Sequence, residues 1–193
     1  MEIKRPEPKQ PTPPHAKKIF EGIIFDIYQW EQEMYDGTTA TFERLKRPDT
    51  VGVIPVLPDG KIVIAEEEQP GKKTATTLLG GRVEEIEDPL EAVKRELLEE
   101  SGYEGDSWNL LLAIQPVIKM DWAIYTFVAR GCHKTREQHL DSGEKIKLKT
   151  VSFEEFTDLI SNGTINDPDL RIKFLEAKLD PQKMAELKKI ILD

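Results

Sequence analysis

The segment GGRVEEIEDPLEAVKRELLEESGY, residues 80–103, constrains the chain more than any other stretch. It holds seven glutamates and one aspartate against three basic residues. Its punctuation specifies a helix. Asp88 is a good N-cap, Pro89 suits the first helical position, Glu91 completes a capping box and Gly102 supplies a left-handed stop. Leu90, Val93 and Leu97 recur at helical spacing and define a stripe to be buried. At about 100° per residue, Glu96, Glu99 and Glu100 fall within one arc beside that stripe, at the margin of the core.

A solvated face is the ordinary fate of a charge run, but this one is costly. Glu96 and Glu100 repel one another at i,i+4. They sit near a helix C-terminus, where the dipole disfavours anions, and partial burial adds to the cost. A bound divalent cation relieves all three problems. Oxygen-only ligands suit a hard ion, Mg²⁺ first and Mn²⁺ as the alternative.

The rest of the chain frames this helix. Residues 1–16 are rich in proline and lysine and read as a disordered tail. Residues 17–48 read as two or three strands turning at Asp36-Gly37, and a second hairpin turns at Asp59-Gly60. Further strands are expected in WNLLLAIQPVI, DWAIYTFVAR and EKIKLKTV. Ser152 with Glu155 opens a capped helix closed by Gly163, and Asp167-Pro168 opens another. The residues from Pro181 read as a short polar helix packed loosely on the remainder. This order predicts a mixed α/β (α+β) sandwich.

Composition excludes several functions. A net charge of −9 argues against nucleic acid as a partner, so a small anionic ligand would need a local cation. No apolar run is long enough to span a membrane. The N-terminus lacks the apolar core of a secretory signal, and Cys132 is the single cysteine, so a reducing, cytoplasmic location is expected.

The spacing of Gly81, Glu87, Arg95-Glu96-Leu97, Glu99-Glu100 and Gly102-Tyr103 resembles the Nudix box of the Nudix hydrolases. The flanking strands and the closing SFEEFTDLISNGTINDPDLRIKFLEAKL resemble the ADP-ribose pyrophosphatase branch, over roughly residues 18–178. The resemblance implies a Nudix-type α/β/α sandwich over residues 49–180, an N-terminal antiparallel sheet that makes a homodimer, and a C-terminal helix over 181–193. It implies metal-dependent cleavage of a nucleoside diphosphate-linked compound, ADP-ribose or a nucleotide sugar. Glu96, Glu99 and Glu100 are then metal ligands, with the Gly80 carbonyl a further candidate. Arg95 orients the glutamates together with Glu87, and Gly81 admits the diphosphate. A later loop supplies the general base, Glu144, with Asp141 in reserve.

Three departures from the branch bear on substrate. Gln69 stands where an arginine is common, Thr77 and Leu79 replace a carboxylate and a proline, and QPVIKMDW replaces the usual loop after the box. Trp122 with Met120, and Tyr28 with Trp30, are candidates to stack a base, against ordinary packing. A nucleoside diphosphate such as IDP, hydrolysed to orthophosphate, is the alternative substrate. A non-catalytic sensor of nucleotide sugars is the alternative to an enzyme.

Overall fold

The computed structural model describes residues 3–193. β1 (Lys17–Glu21), β2 (Asp26–Glu33) and β3 (Thr39–Lys46) form an antiparallel meander. β4 (Thr50–Val56) and β5 (Ile62–Glu68) follow, joined through Asp59-Gly60, and then the short β6 (Ala75–Thr77). Helix α1 (Pro89–Ser101) leads to β7 (Tyr103–Glu104), β8 (Ser107–Ile114), β9 (Met120–Asp121) and β10 (Ile124–Arg130). β11 (His133–Lys134), β12 (Lys145–Val151), α2 (Phe153–Ser161), α3 (Pro168–Lys178) and α4 (Pro181–Leu192) complete the chain.

The central sheet has the order β12-β5-β4-β10-β8, with β4 and β10 parallel and β6 added to β5. Alternation along its strands divides the core into two layers. Val51, Val53, Val63, Ala65 and Phe127 pack against Ala92, Val93 and Leu97 of α1. Ile54, Val56, Ile62, Ile64 and Val128 pack against α2, α3 and α4 on the other face. The result is the expected three-layer sandwich. The meander forms a separate sheet, to which β9 adds in parallel beside β3.

Several expectations need correction. Asp88 accepts from the Leu90 amide as an N-cap should, but Glu91 bonds Lys94 at 2.7 Å, so α1 has no capping box. The full box does occur at Ser152 and Glu155. Residues 115–118 lie outside β8, and DWAIYTFVAR is split between β9 and β10. α4 does not pack loosely: Leu187 and Ile191 enter the core, and Arg130 donates to the carbonyls of Ile190 and Ile191. No helix among the described residues is long and apolar enough to cross a membrane.

Candidate active site

The site begins with a splay in the sheet. β5 leaves β4 after a single pair and continues along β6, so the far half of β4 needs another neighbour. The box loop fills that place. The Val53 amide donates to the Leu79 carbonyl, and the Val51 amide to the Gly81 carbonyl, both at 2.9 Å. At position 80 only glycine fits. Gly80 has φ +146°, and a Cβ on it would lie 2.1 Å from the Val51 carbonyl oxygen. A Cβ on Gly81 would lie 2.3 Å from Glu96 Oε1, so the loop rests directly on the acidic face of α1.

Arg95 gathers the charges on that face. Its Nε and Nη2 donate to the two oxygens of Glu87 at 3.0 Å, and Nη2 also donates to the Arg82 carbonyl at 2.9 Å. Nη1 donates to Glu96 at 2.9 Å and to Glu99 at 3.1 Å. This is the planar fork that a lysine lacks. Arg95 holds the Glu87 carboxyl below the usual carboxylate range, and Glu87 in turn accepts from the Glu84 amide, which closes the loop.

Glu100 is set apart. Its side chain is buried and meets one donor, the Gly80 amide at 2.7 Å. Burial pushes its carboxyl up to about 8, with Glu96, Glu144 and Glu67 adding like charge. Burial also raises Glu96, against the pull of Arg95.

Glu144 reaches the same cavity through a loop hung from the end of α1. The His139 amide donates to the Glu99 carbonyl, the Gln138 side chain to the Glu100 carbonyl, and the Thr135 amide to the Gly102 carbonyl. These bonds satisfy the orphan carbonyls of a helix terminus. Glu144 follows Asp141 in a tight turn. Burial, then the charges of Asp141 and Glu67, lift its carboxyl above the ordinary range.

The cavity is large, about 1450 Å³, and its acidic wall carries Glu96, Glu99, Glu100, Glu144 and Glu67. Among the described residues no three metal-binding side chains already form a cage; Glu96 and Glu99 lean on Arg95, and Glu100 on Gly80. The donor set nevertheless fits a hard divalent ion. It is all oxygen, it crowds like charges that one guanidinium does not balance, and its buried member, Glu100, makes a single hydrogen bond.

A basic wall, centred on Arg47 with Arg82 nearby, lines the same cavity. Arg47 lines the cavity with its guanidinium 4.6 Å from the Trp122 ring centroid and 5.7 Å from that of Phe25, and its Nε is buried without a partner among the described residues. Burial and the charge of nearby Arg82 lower its pKa. Tyr28 and Gln69 also line the cavity. Trp122 does not: Arg47 covers its face and Thr50 takes its indole N–H at 3.1 Å, so it is not an open stacking wall. Trp30 is buried against Phe42, as ordinary packing requires.

Sequence reasoning missed Arg5, Arg47, Glu67 and His139, all of which line the cavity. Glu67 could have been found, since it lies two residues before Gln69 on an alternating strand. It accepts from Gln69 and from Thr77.

A model of the NUDIX domain matches residues 46–171. The chain belongs to the Nudix family. This Nudix hydrolase is 30% identical over 156 residues to the methanol dehydrogenase activator of Bacillus methanolicus, covering 79% of this chain and 84% of that protein. It is 26% identical over 167 residues to an ADP-ribose pyrophosphatase of Bacillus subtilis (strain 168), covering 84% and 90% respectively. The crystal structure of an ADP compounds hydrolase superposes with a TM-score of 0.68 at 17% identity, over 92% of this chain and 98% of the other, and shares the fold.

Proposed function

We propose that this Nudix hydrolase cleaves the diphosphate of ADP-ribose or a related nucleotide sugar. Mg²⁺, or Mn²⁺ in its place, would be held by Glu96, Glu99 and Glu100 with the Gly80 carbonyl. One observation carries this reading: a single cavity is lined both by carboxylates that need a cation and by the cations Arg47 and Arg82. Such a cavity suits an anion delivered together with a metal.

When bound, the metal neutralises the diphosphate and makes water a stronger acid. The chain's own groups do the remainder. Arg95 fixes Glu96 and Glu99 through its fork, and Gly81 lets the diphosphate approach the backbone. Glu144 accepts the proton from water, with Asp141 in reserve; its raised pKa brings it closer to neutral pH, where a general base works best. Arg47 and Arg82 receive the anionic substrate, while Tyr28 and Gln69 contact its nucleoside and sugar ends.

Residues 17–48 form a homodimer interface in this reading. Ile19, Phe20 and Ile23 around β1 are respectively 53%, 54% and 97% exposed. A second reading, a nucleoside diphosphate such as IDP, draws on Gln69, which brings no charge to the position and is tied to Glu67 and Lys72.

Product analysis with Mg²⁺ tests both. AMP and ribose 5-phosphate from ADP-ribose support the first reading. Orthophosphate from IDP with ADP-ribose intact supports the second. Turnover of neither, with nucleotide still bound, would leave the non-catalytic sensor. Light scattering on the eluted peak gives the subunit number.

A further inference from the structure

The segment before β1 is docked on the cavity although it forms no helix or strand. Arg5 donates through Nε and Nη2 to the two oxygens of Asp49 at 2.8 and 2.9 Å, and through Nη2 to Asp121 at 2.8 Å. The Pro6 carbonyl accepts from Gln115 at 2.8 Å, and Ile3 packs on the core layer facing α1. Arg5, Asp49 and Asp121 all line the cavity.

The two aspartates hold the basic wall together. Asp49 accepts from the Ala123 amide through its side chain at 2.8 Å, and its carbonyl accepts from the Val83 amide at 2.9 Å. The Asp121 carbonyl accepts from the Arg47 amide at 3.2 Å, and Trp122, stacked on Arg47, follows directly. A second cation lies near Asp121. Arg44 is 3% exposed, makes one bond, to the Met120 carbonyl at 3.2 Å, and keeps Nε and Nη1 without partners among the described residues. Asp121 is the acid whose charge it senses.

We propose that residues 3–8 are a strap forming part of the substrate cavity, with Arg5 as a positioning residue that sets Arg47 where it lines that cavity. Arg5 acts in two ways. It cancels the charge of two carboxylates that would otherwise face an anionic substrate, and it keeps Asp121 away from Arg44, so that Arg47 stays presented to the cavity. The prolines at 6, 8, 11, 13 and 14 reduce the chain freedom lost on docking. Contact with an anionic substrate rests on the function proposed above; the clamp itself does not.

The test compares the full chain with Arg5→Ala, Arg5→Lys and a deletion of residues 2–8. Hydrogen exchange at the amides of Arg47, Val83 and Ala123 should quicken at least tenfold in Arg5→Ala and in the deletion, with α1 unchanged. For whichever nucleoside diphosphate compound the wild type hydrolyses, KM should rise at least fivefold while kcat stays within twofold. Arg5→Lys, which keeps the charge and loses the fork, should fall between. Unchanged exchange and KM would overturn the proposal, as would a loss of kcat with exchange quickened across the whole chain. If the wild type hydrolyses no compound, the proposed function fails, and the exchange measurement alone decides the strap.

Discussion

Replacing Glu100 by Gln should stabilise the metal-free protein, and increasingly so as pH rises. The side chain is 7% exposed, and burial moves its carboxyl from an ordinary 4.5 up to about 8. Between those values the folded state binds a proton that the unfolded state has released, so stability falls as pH rises. Below about pH 4 both states are protonated and the penalty vanishes; above about pH 8 both are ionised and it is constant. Each pH step across the window removes about 1.4 kcal/mol, so wild type should lose roughly 3 kcal/mol of stability between pH 5 and pH 8 that Glu100→Gln retains. Gln keeps an acceptor for the Gly80 amide, so the backbone contact survives. Urea unfolding in EDTA at pH 5, 6.5 and 8 measures the difference. Saturating Mg²⁺ should reverse the order, because a ligand of the native state stabilises only the chain that binds it. Parallel pH profiles for the two proteins in EDTA would refute the reasoning, since they would mean that Glu100 ionises as freely folded as unfolded.

Three other outcomes are expected. Gly81→Ala puts a methyl group within 2.3 Å of Glu96 Oε1 and should lower kcat about 100-fold by displacing that carboxylate, with stability little changed by urea titration. Arg95→Lys breaks the fork to Glu87 and the bond to Arg82, and should cost about 2 kcal/mol in the same titration and at least tenfold in turnover. Ile86, exposed and held at φ +68°, is a β-branched residue in a left-handed conformation, so Ile86→Gly should raise stability by about 0.5–1 kcal/mol, read as a melting temperature higher by a few degrees.

What could be read in the sequence was local. Asp88, Pro89 and Gly102 mark the ends of α1 through bonds and dihedrals spanning a few residues, and the glutamate spacing places three carboxylates on one face whatever surrounds them. The alternation in β4 and β5 likewise announces two buried faces. The basic wall was not legible because its contacts are distant: Arg5 meets Asp121 across 116 positions, and no periodic pattern marks either residue. Trp122 misled for a related reason. An aromatic residue at the start of a strand is compatible with an open stacking surface, and only the fold shows Arg47 lying on it. Proline in the first sixteen residues suggested disorder by composition, while one arginine and one isoleucine suffice to anchor the segment.

The loop of residues 135–144 hangs from the carbonyls of Glu99, Glu100 and Gly102, two of which belong to the carboxylate set itself. In the function proposed above, the proton acceptor is therefore tied on one side to the helix that carries the acidic face, and on the other to β12, which begins at the next residue. Arg47 is mounted elsewhere, beside the ends of β3 and β9 and the N-terminal segment. If the proposed function holds, alterations to that second mount would retune which molecule is admitted and leave the carboxylates of α1 where they are.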